Sequence, residues 1–526
     1  MRPSWVSTLL GVAASAFLAV FFLLPLGVIL QRSFADAGAL AHVASNPFYW
    51  QRLGFTTGQA LLSTLLTVAV GLPGALLFAR YAFAGKRLLT AAFTIPFVMP
   101  TVVAGIGFLA LFGRRGLLGL DLRNTLLLVL LAHVFYNYAI VVRVVGSFLE
   151  GAAPRLLEAA STLGAGAWRG TLRVSLPLAR PALFAAATLV FLFCFTSFGV
   201  ILILAPAPRL ATLEVEIYQL TAHLLELGQA AVLVLAQLIV VGAVTLVYTR
   251  MQSRLSLALP TPARALPRPQ GAARAVLGLN TAVAALLILS PLAALAVQAL
   301  QGPGGRFPSL ANLGFAARPS AVIGFASLGL ALRNSLLFAT LSTLVALAVG
   351  FAFAYAVARG RWRILDQLSL LPLATSPITL GFGYLLAFPA LVAHPWGIPL
   401  AHALIAFPFV ARSLLPALRG LDPGHGAAAA TLGAGPWRTL WRVELPQLGP
   451  ALLTAASFAF AVSMGEFGAT LLLARPEYAT LPVAIYDRLG RPGAQHHGAA
   501  MALALLLMLV TGAVMMLLQR RGRSEF

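Results

Sequence analysis

Twelve apolar runs, near 6–30, 54–79, 88–112, 125–147, 181–205, 227–249, 276–300, 332–358, 369–392, 397–416, 449–473 and 498–518, leave this chain few folds to choose from. Each is long enough to cross about 30 Å of hydrocarbon as a helix, and in lipid only helices and closed barrels satisfy the backbone. The runs predict an all-α, polytopic membrane protein of about twelve transmembrane helices. Only 10% of the 526 residues are charged, against about 25% in soluble proteins, which excludes an ordinary soluble enzyme. The first run lacks a small-residue cleavage pattern with a polar start behind it and is expected to stay as a helix.

Charge then orients the helices. The 36 basic and 14 acidic residues give a net charge of +22, nearly all of it from arginine, since Lys86 is the only lysine. With the N-terminus inside, 24 of the 36 basic residues fall on cytoplasmic segments, among them Arg80, Lys86, Arg87, Arg143, Arg169, Arg173, Arg412, Arg438 and Arg442. Both termini are therefore expected in the cytoplasm. That asymmetry accounts for the charge without a nucleic-acid partner. Cys194 is the one cysteine and lies in an apolar run, so an intrachain disulfide is impossible and thiol redox chemistry is not expected.

The chain repeats itself. STLGAGAWRGTLRVSLP at 161–177 matches ATLGAGPWRTLWRVELP at 430–446 at an offset of 269, which also pairs His133 with His402, Arg143 with Arg412, Phe198 with Phe467 and Gly199 with Gly468. Upstream, STLLTVAVG at 63–71 matches STLVALAVG at 342–350, and Pro25-Leu26 matches Pro291-Leu292. Six helices per half give both halves the same orientation, as in parallel repeats about an axis along the membrane normal, with a pathway expected between them. The expected domains are 1–249 (core 54–249), a Pro/Arg-rich cytoplasmic linker at 250–275, and 276–526 (core 328–518).

After its fourth helix each half carries about 30 residues too polar to span the membrane. Pro154 starts a short helix with an apolar stripe at Leu156, Leu157, Ala160 and Leu163, and Gly164 is placed to end it. Trp168, Arg169 and Arg173 form a second amphipathic piece stopped by Pro177. The order Glu158-Ala159-Ala160, three residues, Gly164, nine residues, Val174-x-Leu176-Pro177 resembles the EAA signature of importer permeases of the ATP-binding-cassette superfamily. The second copy keeps Ala428-Ala429, Gly433, Trp437, Arg438 and Val443-x-Leu445-Pro446, but has Ala427 in place of the glutamate. The resemblance implies a type I permease fold and a coupling helix in each loop that docks on an ATPase, with unequal coupling by the two loops left open by Ala427. The bland alternative for each loop is an amphipathic helix resting on the headgroups.

No ATP site is expected in the chain itself, because a Walker A loop needs Ser or Thr after its lysine and Lys86 precedes Arg87. The resemblance therefore implies that ATP is hydrolysed by a partner, an ATP-binding-cassette homodimer, and that an extracytoplasmic solute-binding protein delivers the solute. No catalytic constellation, metal site or bound cofactor is expected. A proton-coupled secondary transporter would share the helix count, but has no need of two EAA-like loops.

Glu466, in GEFGA, sits mid-span and is the intramembrane candidate for a pathway or gate, with a hydrogen-bonding role between helices as the alternative; its repeat partner is Ser197. GEFGA is similar to a stretch of molybdate and sulfate permeases. His133 and His402 read as packing or hydrogen-bonding residues, and His496-His497 as a solvated loop. Glu214, Glu216 and Glu226 with Tyr218 form either an outward acidic patch or a plain wet loop. LLAHVFYN at 130–137, FLFCFTSF at 191–198, TLEVEIYQ at 212–219 and TLPVAIY at 480–486 are most similar to fused two-repeat permeases of the thiamine branch. That resemblance implies thiamine as the solute, with ferric iron, and after it another small solute or ion, as the alternatives.

Overall fold

The computed structural model describes residues 5–152, 154–255, 266–318, 327–360, 362 and 371–523. Among them nine helices are long and apolar enough to cross a membrane, running from Trp5–Ala35 to Ala494–Gln519, and no strand occurs. Pro436–Gln447 and Gly449–Gly465, which meet at 74°, are together apolar and long enough for a tenth span if the bent pair is counted as one. Residues 256–265 of the expected linker and 369–370 of the ninth run lie outside the described residues.

Several runs that look continuous in sequence are broken in space. The run 88–112 divides into Lys86–Val98 and Thr101–Phe112. Pro100 disfavours helical geometry in the residue before it, and Met99 is extended at φ −74°, ψ 143°. In the second half, helix Pro377–Ala387 starts afresh at Ser376, whose hydroxyl accepts from the Thr379 N–H. The fifth span of the first half ends at Phe195 and resumes as Gly199–Leu204. Its repeat ends at Gly465 and resumes as Gly468–Leu473, at the same repeat position.

The halves are interlocked. Ala14, Leu18 and Phe22 of the first helix pack with Phe353 and Phe407 of the second half. Pro25 lies against Gly383, where an added Cβ would come 3.0 Å from the proline Cβ. Its repeat equivalent Pro291 lies against Gly107, where a Cβ would meet the Pro291 carbonyl oxygen at 2.9 Å. Gln298 ties the same first-half helix, donating to the Ala110 carbonyl at 3.0 Å and the Arg115 carbonyl at 2.6 Å. Each half thus lends its first helix to the other, and the glycines permit the close approach. Leu65, Leu279 and Leu286 stand exposed on the outer faces of the long helices, where hydrocarbon replaces water.

Candidate functional site

The fifth-helix breaks meet at the middle of the molecule and are held by histidines of the fourth helices. His133, in Leu126–Ala152, places Nδ1 2.8 Å from Ser63 Oγ and Nε2 3.0 Å from Ser197 Oγ at the first break. His402, in Gly397–Gly420, places Nδ1 2.8 Å from Ser463 Oγ, and Nε2 2.7 Å from Thr470 Oγ1 and 3.2 Å from Glu466 Oε2 at the second. Both imidazoles are buried.

Glu466 is oriented by its own backbone. Its two carboxyl oxygens accept from the N–H groups of Ala469 and Thr470, each at 2.9 Å, and Oε2 accepts from Thr470 Oγ1 at 2.6 Å. A carboxylate at a helix start meets both unpaired N–H donors and the positive end of the helix dipole. The side chain is buried, yet it also borders a cavity of ≈ 280 Å³ lined by Thr101, His133, Tyr136, Ser197, Phe198, Pro377, Phe467 and further residues of both halves.

Four rings lie beside that cavity. Phe198 and Phe467 stack with centroids 5.8 Å apart, Tyr218 meets Phe198 edge-on at 5.5 Å, and Tyr486 meets Phe467 at 5.4 Å. Tyr218 belongs to helix Leu213–Ala222 and Tyr486 to Leu481–Leu489, which connect the fifth and sixth helices at the end of the molecule remote from the polar loops. An added Cβ at Gly199 would lie 3.1 Å from the Phe467 ring, and one at Gly468 would lie 3.4 Å from the Phe198 ring. Stretches 212–219 and 480–486 align at an offset of 268, a signal in the sequence that places Tyr218 on Tyr486.

Glu214, Glu216 and Tyr218 form neither an outward acidic patch nor a wet loop, since all three are buried on a helix. Glu214 is fully buried, accepting from Gln237 Nε2 at 2.6 Å and from Ser376 Oγ of the second half at 2.7 Å. Glu216 is nearly buried and lies 3.4 Å from the Arg52 guanidinium. Only Glu226 of the three glutamates is exposed, because Leu213–Ala222 turns its acidic side into the protein. His496 and His497 also differ from a loop reading: both are half-buried in the first turn of the last helix.

The polar loops begin alike and end differently: Pro177 does not stop the second piece, which continues as Trp168–Phe195, whereas its repeat bends between Gln447 and Gly449. Helices Pro154–Thr162 and Pro423–Thr431 each end in a glycine of positive φ, Gly164 at +78° and Gly433 at +79°. Gly164 donates to the Ser161 carbonyl and Ala165 to the Ala160 carbonyl; Gly433 donates to Ala430 and Ala434 to Ala429, all at 3.0 Å. This pair of bonds is the Schellman termination, which needs the left-handed conformation that glycine adopts without strain. Glu158, Ala159, Trp168, Arg169, Pro177, Ala428, Trp437, Arg438 and Pro446 are exposed, Ala160 is half-buried and Ala429 is buried. Leu163 is 88% and Leu432 87% exposed, so each loop thrusts an apolar tip into solvent. Arg359 anchors the second loop through Glu444 at 2.9 Å, and its repeat partner Arg80 donates to Thr171 Oγ1 at 3.1 Å.

Residues 71–258 and 363–521 match the family described as binding-protein-dependent transport system inner membrane component. The chain is 27% identical to the thiamine transport system permease protein ThiP of Salmonella typhimurium, over 97% of this chain and 95% of that one. It is 29% identical to the protein of the same name from Brucella abortus, over 98% and 95% of the two chains. The molybdenum transport system permease protein ModB of Escherichia coli is 32% identical over 34% of this chain and 89% of its own length.

Proposed function

The chain belongs to the family of binding-protein-dependent transport system inner membrane components, and from that premise we propose that the solute passing through this permease is thiamine. The observation that carries the assignment is similarity to thiamine permeases across both repeats and nearly the whole length of the chain. The chemistry of the cavity agrees: Tyr136, Phe193, Phe198, Phe409 and Phe467 offer aromatic faces, and Glu466 supplies a carboxylate. Aromatic faces and one acidic group suit an organic cation of thiamine's size.

A multi-pass permease of this family works with an ATPase and a solute-binding protein. In our reading the ATPase is a homodimer, and the loops at 154–177 and 423–446 dock into it through Leu163, Trp168, Leu432 and Trp437, which are exposed apolar groups on otherwise polar segments. Both termini lie with those loops in the cytoplasm. The chain divides into repeats at 1–249 and 276–526 joined by the linker at 250–275. The ring cluster of Tyr218, Phe198, Phe467 and Tyr486 closes the cavity on the opposite side, so that opening and closing of the pathway alternate between the two faces.

A strain unable to make thiamine should need this gene to grow on low external thiamine. Unimpaired growth there, with a defect under iron limitation, would move the assignment to ferric iron and leave the importer mechanism standing.

A further inference from the structure

A second cavity, of ≈ 700 Å³, lies on the face opposite the coupling loops, at the seam between the halves. Arg114, Arg115 and Arg123 reach it from the turn between Thr101–Phe112 and Leu126–Ala152, Arg491 from the turn before the last helix, and His497 from that helix's first turn. Acidic neighbours are few: Asp121 lies 3.3 Å from Arg123 and Asp487 lies 3.9 Å from Arg491. Arg114 and Arg115 are exposed. Four arginines against two carboxylates leave the cleft strongly positive.

Neither the fold nor the topology asks for this charge. The fold is repeated, yet the equivalent stretches at the opposite seam, 382–400 of the second half and 219–225 of the first, contain no lysine or arginine, and the latter is followed by the exposed Glu226. The topology rule favours basic residues on the cytoplasmic side, whereas these stand at the other end of the helices. A cluster that costs something in topology and that symmetry does not require points to a ligand of opposite charge.

On the reading of this chain as a permease fed by an external binding protein, we propose that the cleft receives carboxylates of that binding protein and fixes which end of it lies over this seam. Placement favours a delivering protein over a lipid headgroup. Tyr486 lines the cleft and also packs on Phe467 of the ring cluster, so an occupant sits beside the mouth of the pathway. Guanidinium groups match carboxylates bidentately, and a one-sided field speeds and orients encounter. With the exposed Glu226 at the opposite seam, the two seams of the outer face differ in charge, and a partner with the complementary difference docks in one orientation only.

The test uses the full transporter with its ATPase, in nanodiscs of neutral lipid, and its thiamine-loaded binding protein as probe, with association followed at low and high salt. The paired substitutions Arg114→Glu and Arg115→Glu should slow association about tenfold and flatten its salt dependence, with an unchanged melting temperature. Arg475→Glu, an exposed arginine on the same face but outside the cleft, should bind as the native chain does. Native association kinetics in the paired variant overturn the docking site while leaving the importer reading intact. Failure of the native transporter to bind the probe at all counts instead against the importer reading. If free phosphate or anionic lipid abolishes binding in the native chain and in the paired variant alike, the cleft is not the docking site.

Discussion

Phe198 and Phe467, which occupy the same position in the two repeats, stack on each other across the centre of the molecule with their planes 26° apart. A single repeat cannot make this contact, and both rings reach it because the residue after each is glycine. Ring pairs of this kind contribute about 1 kcal/mol beyond their burial.

Phe467→Ala should therefore weaken closure of the outer face. The loss corresponds to a roughly fivefold shift in the balance of open and closed forms. ATP hydrolysis by the reconstituted transporter in the absence of binding protein should rise severalfold. An unchanged basal rate, with native stimulation by binding protein, would remove the rings from the closure.

Gly433→Asp should uncouple ATP hydrolysis from uptake while the protein still inserts. A Cβ at Gly433 meets nothing within 4 Å, so the effect comes from the left-handed backbone, strained by about 1–2 kcal/mol for other residues, and from the altered docking surface. Gly164, at the same conformation, should behave alike. Glu158→Ala should be milder than either, because Ala427 already does without the carboxylate. Normal thiamine uptake by both glycine variants would reject the coupling role.

Glu466 separates two roles by its substitutions. Leu removes the acceptor for two backbone N–H groups and the Thr470 hydroxyl, which should cost about 1–3 kcal/mol and lower the melting temperature. Gln keeps one of the two acceptor oxygens and loses the charge. If the charge serves the pathway, the Gln variant stays folded but transports poorly. Native uptake by Gln beside a failing Leu variant would leave only the helix cap.

A reporter fused after Glu525 should be active in the cytoplasm alone. The expectation rests on the placement of 24 of the 36 basic residues on that side. Activity of a periplasmic reporter at that position would overturn the orientation.

Two kinds of information divide between sequence and structure here. Membrane insertion, helical class, the repeat and the shape of the loops were legible along the chain, because each depends on neighbours: apolar length, a fixed spacing, a glycine such as Gly164 that ends a helix. Glu214 was not legible. Its surroundings in sequence are those of a wet loop, and only Gln237 and Ser376, brought in from elsewhere, make it a buried link between the halves. The exchange of first helices was equally hidden, since nothing local tells Pro25 that it will lie on Gly383 rather than within its own half.

The sequence by itself determined that this protein spans a membrane as two like halves with two like loops, since transfer into hydrocarbon and helix termination act over a few residues at a time. Only the tertiary structure decided that Phe198 meets Phe467, that Glu466 caps a helix within reach of His402, and that five basic side chains from two halves share one cleft. Those relations join residues hundreds of positions apart, and packing across the seam brings them together, which no local preference encodes.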